Sequence, residues 1–236
     1  DFREPLHGRE VIDRYVTRAG AQTYRHWFRR YGCRYLELRH PADAGVEIAA
    51  CGLEEVYAPG METPAFACSD PFWEKAWEIS CRTLRCCRHE KYENCPGREQ
   101  SICPYDARNQ QLFGYGIFGD YPHAAAMIEL YAAGAMTNGF LKAAEPYGGD
   151  TWIPMFTFPW MTSIAEYGWY SGDASLFRRL APQLKEMLGK ILALRKNGLF
   201  LPPERKGRWD YCEAPLMEFN AFPPNAFYNL YLHEAL

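Results

Sequence analysis

Hydrophobic and polar positions divide the chain in two. Over residues 9–57, short runs rich in Val, Ile, Tyr, Phe and Thr cover Arg9–Thr17, Thr23–Arg29, Cys33–Arg39 and Gly45–Ala50. They are broken by Ala-Gly-Ala, Tyr-Gly and His-Pro-Ala-Asp, and runs separated by such turn-forming residues predict antiparallel strands. The stretch is short for an independent β-sandwich and reads as the end of one, with residues 1–64 as its C-terminal part.

Beyond the connector Ala58-Pro-Gly-Met-Glu-Thr-Pro64 the spacing becomes helical. Asp70 followed by Pro71 provides an N-cap with proline at the first helical position, and Trp73, Ala76, Trp77, Leu84 and Cys87 then recur near helical spacing over 71–88. Further helices are predicted at about 106–118, 121–136, 155–171, 174–196 and 223–236, with Gly172-Asp173 as a tight turn between two of them. No strand–helix alternation occurs, which argues against a parallel α/β sheet. Residues 65–236 therefore read as helical hairpins.

Composition adds limits. Apolar residues make up 48% and charged residues 23% of the 236, a globular balance that excludes disorder. No apolar run approaches the ~18 residues of a spanning helix, so no membrane partner is expected. A net charge of −3 gives no basic surface for nucleic acid. Nine cysteines (33, 51, 68, 81, 86, 87, 95, 103 and 212) form no CxxC and no common zinc spacing, so no metal is expected. Most read as buried thiols, which favours a reducing, cytoplasmic compartment. The start at Asp1-Phe2-Arg3 has neither Met nor an apolar signal core; it resembles a cut, so export stays open. Aromatics reach 16%, with seven Trp and sixteen Tyr, enough both to fill a core and to provide platforms for a ligand.

The candidate chemistry lies in His89-Glu-Lys-Tyr-Glu-Asn-Cys-Pro-Gly-Arg-Glu-Gln-Ser-Ile-Cys-Pro-Tyr-Asp-Ala-Arg-Asn-Gln110, between two predicted helices. It sets Glu99 and Asp106 seven residues apart, with Arg98 and Arg108 beside them. Crowded carboxylates suit acid/base work because burial and neighbouring charge drive their pKa values apart. The plain alternative is a solvated loop with routine ion pairs, and spacing alone does not decide between them. Glu93 reads as solvated, His89 as a structural histidine, and Arg178, Arg179, Lys185 and Lys190 as an ordinary polar helix face. Trp160 and the aromatic positions in 113–121 and 222–231 read as core.

The wording of this stretch resembles the signature of bacterial α-L-rhamnosidases of the six-hairpin glycosidase class, glycoside hydrolase family 78. Cys95-Pro-Gly-Arg-Glu99 followed by Asp106-Ala-Arg is similar to the family's Asp-Cys-Pro-x-Arg-Glu and Gly-Asp-Ala/Thr-x-x-Gln. Cys81–Tyr92 resembles the helix leading into it. Gly149-Asp-Thr-Trp-Ile-Pro154, Phe158-Pro-Trp160 and Tyr170-Ser-Gly-Asp173 resemble the hairpins that follow, and Arg30–Glu37 the preceding β-sandwich. The resemblance implies half of an (α/α)6 barrel and inverting hydrolysis of terminal α-L-rhamnosyl residues from a glycoside or polysaccharide, without a cofactor. It places the general acid on Glu99, contacts to rhamnose hydroxyls on Asp106, and support of the acidic cluster on Arg98. Trp152 and the pair Trp209-Asp210 become sugar-pocket candidates.

Two positions depart from the pattern. Asn94 stands where the family usually has Asp, which exchanges a charge for amide donors and bears on sugar specificity; Tyr105 replaces the usual Gly. A complete barrel needs about twelve helices, roughly 300–360 residues at ordinary helix and loop lengths, and residues 69–236 supply about six. No residue is assigned the general base, so this piece alone is expected to be inactive and to self-associate through its open face. Two alternatives are a noncatalytic carbohydrate-binding or scaffold protein on the same hairpins, and a six-hairpin hydrolase for another sugar.

Overall fold

A computed structural model describes residues 12–94, 100, 103–143, 152–203 and 226–236. Helices dominate it: α1 (Pro71–Cys86), α2 (Pro104–Phe118), α3 (Pro122–Ala133), α4 (Pro154–Ser171), α5 (Ser175–Leu192) and α6 (Ala226–Ala235). Between α5 and α6 lies a two-stranded antiparallel hairpin of β1 (Arg195–Lys196) and β2 (Leu199–Phe200).

Helix starts follow their sequence signals. Asp70 caps α1 by accepting a 2.9 Å hydrogen bond from the Phe72 amide, and Pro71, Pro104, Pro122 and Pro154 open four helices where a missing N–H costs nothing. Gly119 ends α2 and Gly172 ends α4, both in the left-handed region that glycine adopts without a Cβ clash. The resulting turns are tight, giving hairpins α2/α3 and α4/α5.

Cross-helix contacts fix the directions. Tyr105 stacks on Phe156 at 5.8 Å and Tyr115 meets Tyr170 at 5.2 Å, so α2 and α4 run parallel. Tyr105 also meets Tyr231 at 6.3 Å while Arg108 reaches Glu234 at 3.2 Å, so α6 runs parallel to both. In the opposite sense run α3 and α5, joined by Arg179–Glu129 at 2.6 Å and by Gln183 donating to the Ala132 carbonyl at 2.6 Å. Central helix α4 is buried from Pro154 to Ile164, as its position among α2, α3, α5 and α6 requires. Trp160 is core as expected: it is fully covered and its indole donates to the Ile128 carbonyl at 3.0 Å.

Several expectations are corrected. Residues 12–57 contain no strand; their segments are extended or turned without a ladder. Ile12, Val16, Trp27, Phe28, Tyr35 and Leu38 are exposed there, so alternation along the chain finds no core to cover and no second sheet face. The predicted helix at 174–196 stops at Leu192, because Asn197 and Gly198 both take positive φ and close the hairpin. Phe200 on β2 is fully buried against Phe140, Phe158 and Tyr228, and its amide donates to the Asn229 side chain at 2.8 Å. Of the seven described cysteines all are thiols, but only Cys81 is buried, while 33, 51, 68 and 86 are exposed. They sit on the uncovered N-terminal segment and on the outer side of α1. Phe113 and Phe227 face outward, whereas Tyr115 and Tyr228 are core. Among the described residues no helix is long and apolar enough to cross a membrane.

Candidate functional site

Parallel directions of α2, α4 and α6 put their N-termini at one end of the helical layer. The segments that lead into them are 87–103, 143–153 and 201–225, and they hold nearly all the sequence-predicted site residues. Asp106 is half-buried in the first turn of α2, where a carboxylate is stabilised by the positive end of the helix. Asn94 is exposed at the far end of the incoming segment. Trp152 is fully buried two residues before α4, its ring 5.1 Å from Phe140. Arg98, Glu99, Trp209 and Asp210 lie outside the described residues.

The segment carrying Asn94 is anchored from both sides. Glu93 is 2% exposed, not solvated as expected: Arg30 of the N-terminal segment forms an ion pair with it, and His89 approaches at 4.0 Å. The Glu93 amide donates to the Cys87 carbonyl at 2.8 Å, and Gln110 on α2 donates to the Glu93 carbonyl at 2.8 Å. Gln100 donates to the Arg30 carbonyl at 3.5 Å. Residues 30 and 93 are far apart in sequence, and both are charged, so neither shows a periodicity that would have revealed the pairing.

Behind the first turn of α2 sits a charge cluster that sequence reading did not assemble. Arg108 donates to Glu166 through Nε at 2.8 Å and through Nη2 at 2.5 Å, and Nη2 reaches Glu234 at 3.2 Å. The bidentate pair holds Arg108 above its ordinary pKa, with the Glu166 hydrogen bonds as the main cause. Nearby, burial and a hydrogen bond that its hydroxyl donates to Tyr105 push Tyr231 up to about 12. This end of the layer thus brings together a carboxylate at a helix N-terminus, two phenol hydroxyls, and an arginine whose charge is already satisfied. Such a set has the donors and acceptors that hydroxyl groups require. Among the described residues no group of three or more His, Cys, Asp or Glu could hold a metal ion.

Two solved structures are similar to the chain. A glycoside hydrolase family 78 rhamnosidase of Bacillus sp. GL1 matches at a TM-score of 0.54 and 28% identity, over 60% of this chain and 14% of that one. A rhamnosidase from Klebsiella oxytoca, solved with rhamnose bound, matches at a TM-score of 0.54 and 20% identity, over 61% of this chain and 29% of that one. The chain therefore spans less than a third of either neighbour and shares with them a helical fold of the rhamnosidase type. No family model and no curated protein matches the sequence.

Proposed function

We propose that the chain carries the acid side of an inverting glycoside hydrolase site for terminal α-L-rhamnosyl residues. One observation carries this reading: α2, α4 and α6 run parallel, so the starts of the three helices, each preceded in sequence by a stretch with sequence-predicted residues, lie at the same end of the layer. Likeness to two rhamnosidases supports the substrate class.

In this reading Glu99, kept protonated, donates to the departing glycosidic oxygen, and a second carboxylate activates water on the opposite face of the sugar. Inverting pairs stand about 6.5–9.5 Å apart to admit that water. Asp106 accepts hydrogen bonds from sugar hydroxyls, Arg98 holds the acidic cluster, and Trp209-Asp210 closes the sugar pocket. Because Trp152 is covered on all sides, it supports the pocket from beneath and does not stack on the ring. Asn94 tunes which hydroxyl pattern is accepted. No general base is assigned, so the chain is a sugar-binding unit whose own turnover is negligible. The same reading takes residues 65–236 as the first half of an (α/α)6 barrel.

Titration of L-rhamnose against the chain, followed by calorimetry, tests the assignment. Binding that is lost in Asp106→Ala and kept in Glu99→Gln supports it. Equal affinity for L-rhamnose, D-glucose and D-mannose would overturn the sugar assignment, and no binding of any of them would overturn the site.

A further inference from the structure

One short stretch of the N-terminal segment meets the helical body. Arg29, Arg30 and Tyr31 are half-buried, whereas nearly every other residue of 12–57 is exposed. Here Arg30 forms its ion pair with Glu93, the residue before Asn94, and its carbonyl accepts from Gln100 at 3.5 Å. Arg30 thus touches two residues that flank Cys95-Pro-Gly-Arg-Glu99 in sequence.

Glu93 carries this contact onward to α2. Gln110 donates to the Glu93 carbonyl at 2.8 Å, which holds the Glu93–Asn94 peptide on the helix. Asp106 lies four residues before Gln110, on the same face of α2 and about 6 Å along its axis. The Glu93 side chain is buried, and a carboxylate at that depth needs a countercharge. His89 stands 4.0 Å from it and is charged only when protonated, so Arg30 is the permanent cation beside it. Without Arg30 the Glu93 carboxylate would turn toward water and draw the Asn94 backbone away from Gln110. Neighbouring Arg29 differs, because its partner Asp13, 3.0 Å away, belongs to the same N-terminal segment.

We infer that Arg30 is a positioning residue for the sugar site: by pairing with Glu93 it fixes the Glu93–Asn94 peptide beside the α2 face that carries Asp106, and so sets which hydroxyl pattern the chain accepts. The inference rests on the proposed reading of Asn94 and Asp106 as sugar contacts. It makes the N-terminal segment a working part of sugar recognition, although Arg30 itself does not touch the sugar.

Calorimetric titration of the whole chain with L-rhamnose and, separately, D-mannose tests this, together with amide hydrogen exchange on the same samples. Arg30→Met should weaken L-rhamnose binding at least about tenfold and narrow the preference over D-mannose. Its exchange should speed up over residues 87–94 and stay unchanged in α4 and α5. Glu93→Gln removes the charge while keeping the side-chain shape; it should act to a similar degree, and serves if the first variant fails to fold. Arg30→Lys keeps the cation and should bind within about threefold of wild type, and Arg29→Met should match wild type. Unchanged exchange over 87–94 in Arg30→Met would overturn the link to Glu93. Faster exchange with wild-type affinity and preference would overturn the positioning role. A wild-type chain that binds no L-rhamnose would overturn the proposed function and the role in sugar selection with it, and the exchange comparison still decides whether Arg30 holds the segment.

Discussion

Arg108 on α2 and Glu166 on α4 face each other through two parallel hydrogen bonds, 2.8 and 2.5 Å long, at a point where Glu166 is only 8% exposed. The pair ties together two helices that start at the candidate site. Arg108 stands two residues beyond Asp106, about half a turn of α2, so a change in the pair's geometry passes directly to the first turn of α2.

Removing the arginine leaves a buried carboxylate without a partner. Arg108→Leu is expected to destabilise the chain by about 3–5 kcal/mol, the range for breaking a buried pair on one side. Glu234→Gln should cost less than about 1 kcal/mol, because Glu234 is 43% exposed and water screens its contribution. Urea denaturation of the two variants checks the ordering, and equal costs would refute it.

Backbone geometry gives a second expectation at Gly139, in the connection from α3 to α4. Its φ is +90°, and a Cβ there would stand 3.0 Å from the Met187 carbonyl oxygen and 3.1 Å from the Lys190 Cβ. Gly139→Ala therefore adds both backbone strain and a clash with α5, and should lower stability by about 1–3 kcal/mol. Gly116, on α2 with open space where a Cβ would stand, should tolerate the same change or gain slightly. Thermal unfolding of the two variants distinguishes them.

Helix signals were local, and so they were legible. Asp70-Pro71, the prolines opening α2, α3 and α4, and Gly172 each act within a few residues, and all six helices fall within a few residues of the predicted ranges. The hairpin after α5 was legible too, since Asn197-Gly198 is a strong turn signal; helical spacing upstream masked it. The strands expected over 9–57 are absent from the described residues 12–57 for the opposite reason. A run of β-formers specifies a strand only when another strand and a core are present, and Trp27 and Phe28 here face solvent. Glu93 shows the same limit in the site: a carboxylate reads as solvated until a distant Arg30 is found beside it. The site was readable only through a family resemblance to specific residues, because carboxylate spacing by itself fits a polar loop equally well.

Helix α6 leaves Phe227 and Leu230 at 48% and 64% exposed, while its other side packs on α4 and the hairpin. Burial of this face on a second copy is the expected outcome at high concentration. Light scattering should show a dimer that Leu230→Arg abolishes with the fold retained. A wild-type monomer at all concentrations would rule this out.

Acid sensitivity should centre on His123. Burial, aided by the positive charge of Arg88, pushes its imidazole down to about 4 from 6.5, and its ring sits edge-on to buried Tyr92 at 4.6 Å. Arg88 is the charged group that acts on it, Tyr92 packs against its ring, and His89, Glu90 and Asp120 line the same surface depression. Above pH 6.5 the ring is neutral in both folded and unfolded chains and contributes no pH dependence. As pH falls below 6.5 the unfolded chain takes up a proton that the folded chain refuses until about pH 4. Stability is therefore lost across that window by up to about 3 kcal/mol, and the loss levels off below it. Carboxylates titrate in the same range, but they are common to wild type and to His123→Phe, so the difference between the two proteins isolates the histidine. Denaturant midpoints measured from neutral pH down to about pH 4 should converge or cross as the wild type loses its advantage. A wild-type-minus-variant difference that stays constant with pH would mean that His123 is as readily protonated in the fold as in the open chain, and would rule out burial as a cost to its charged form.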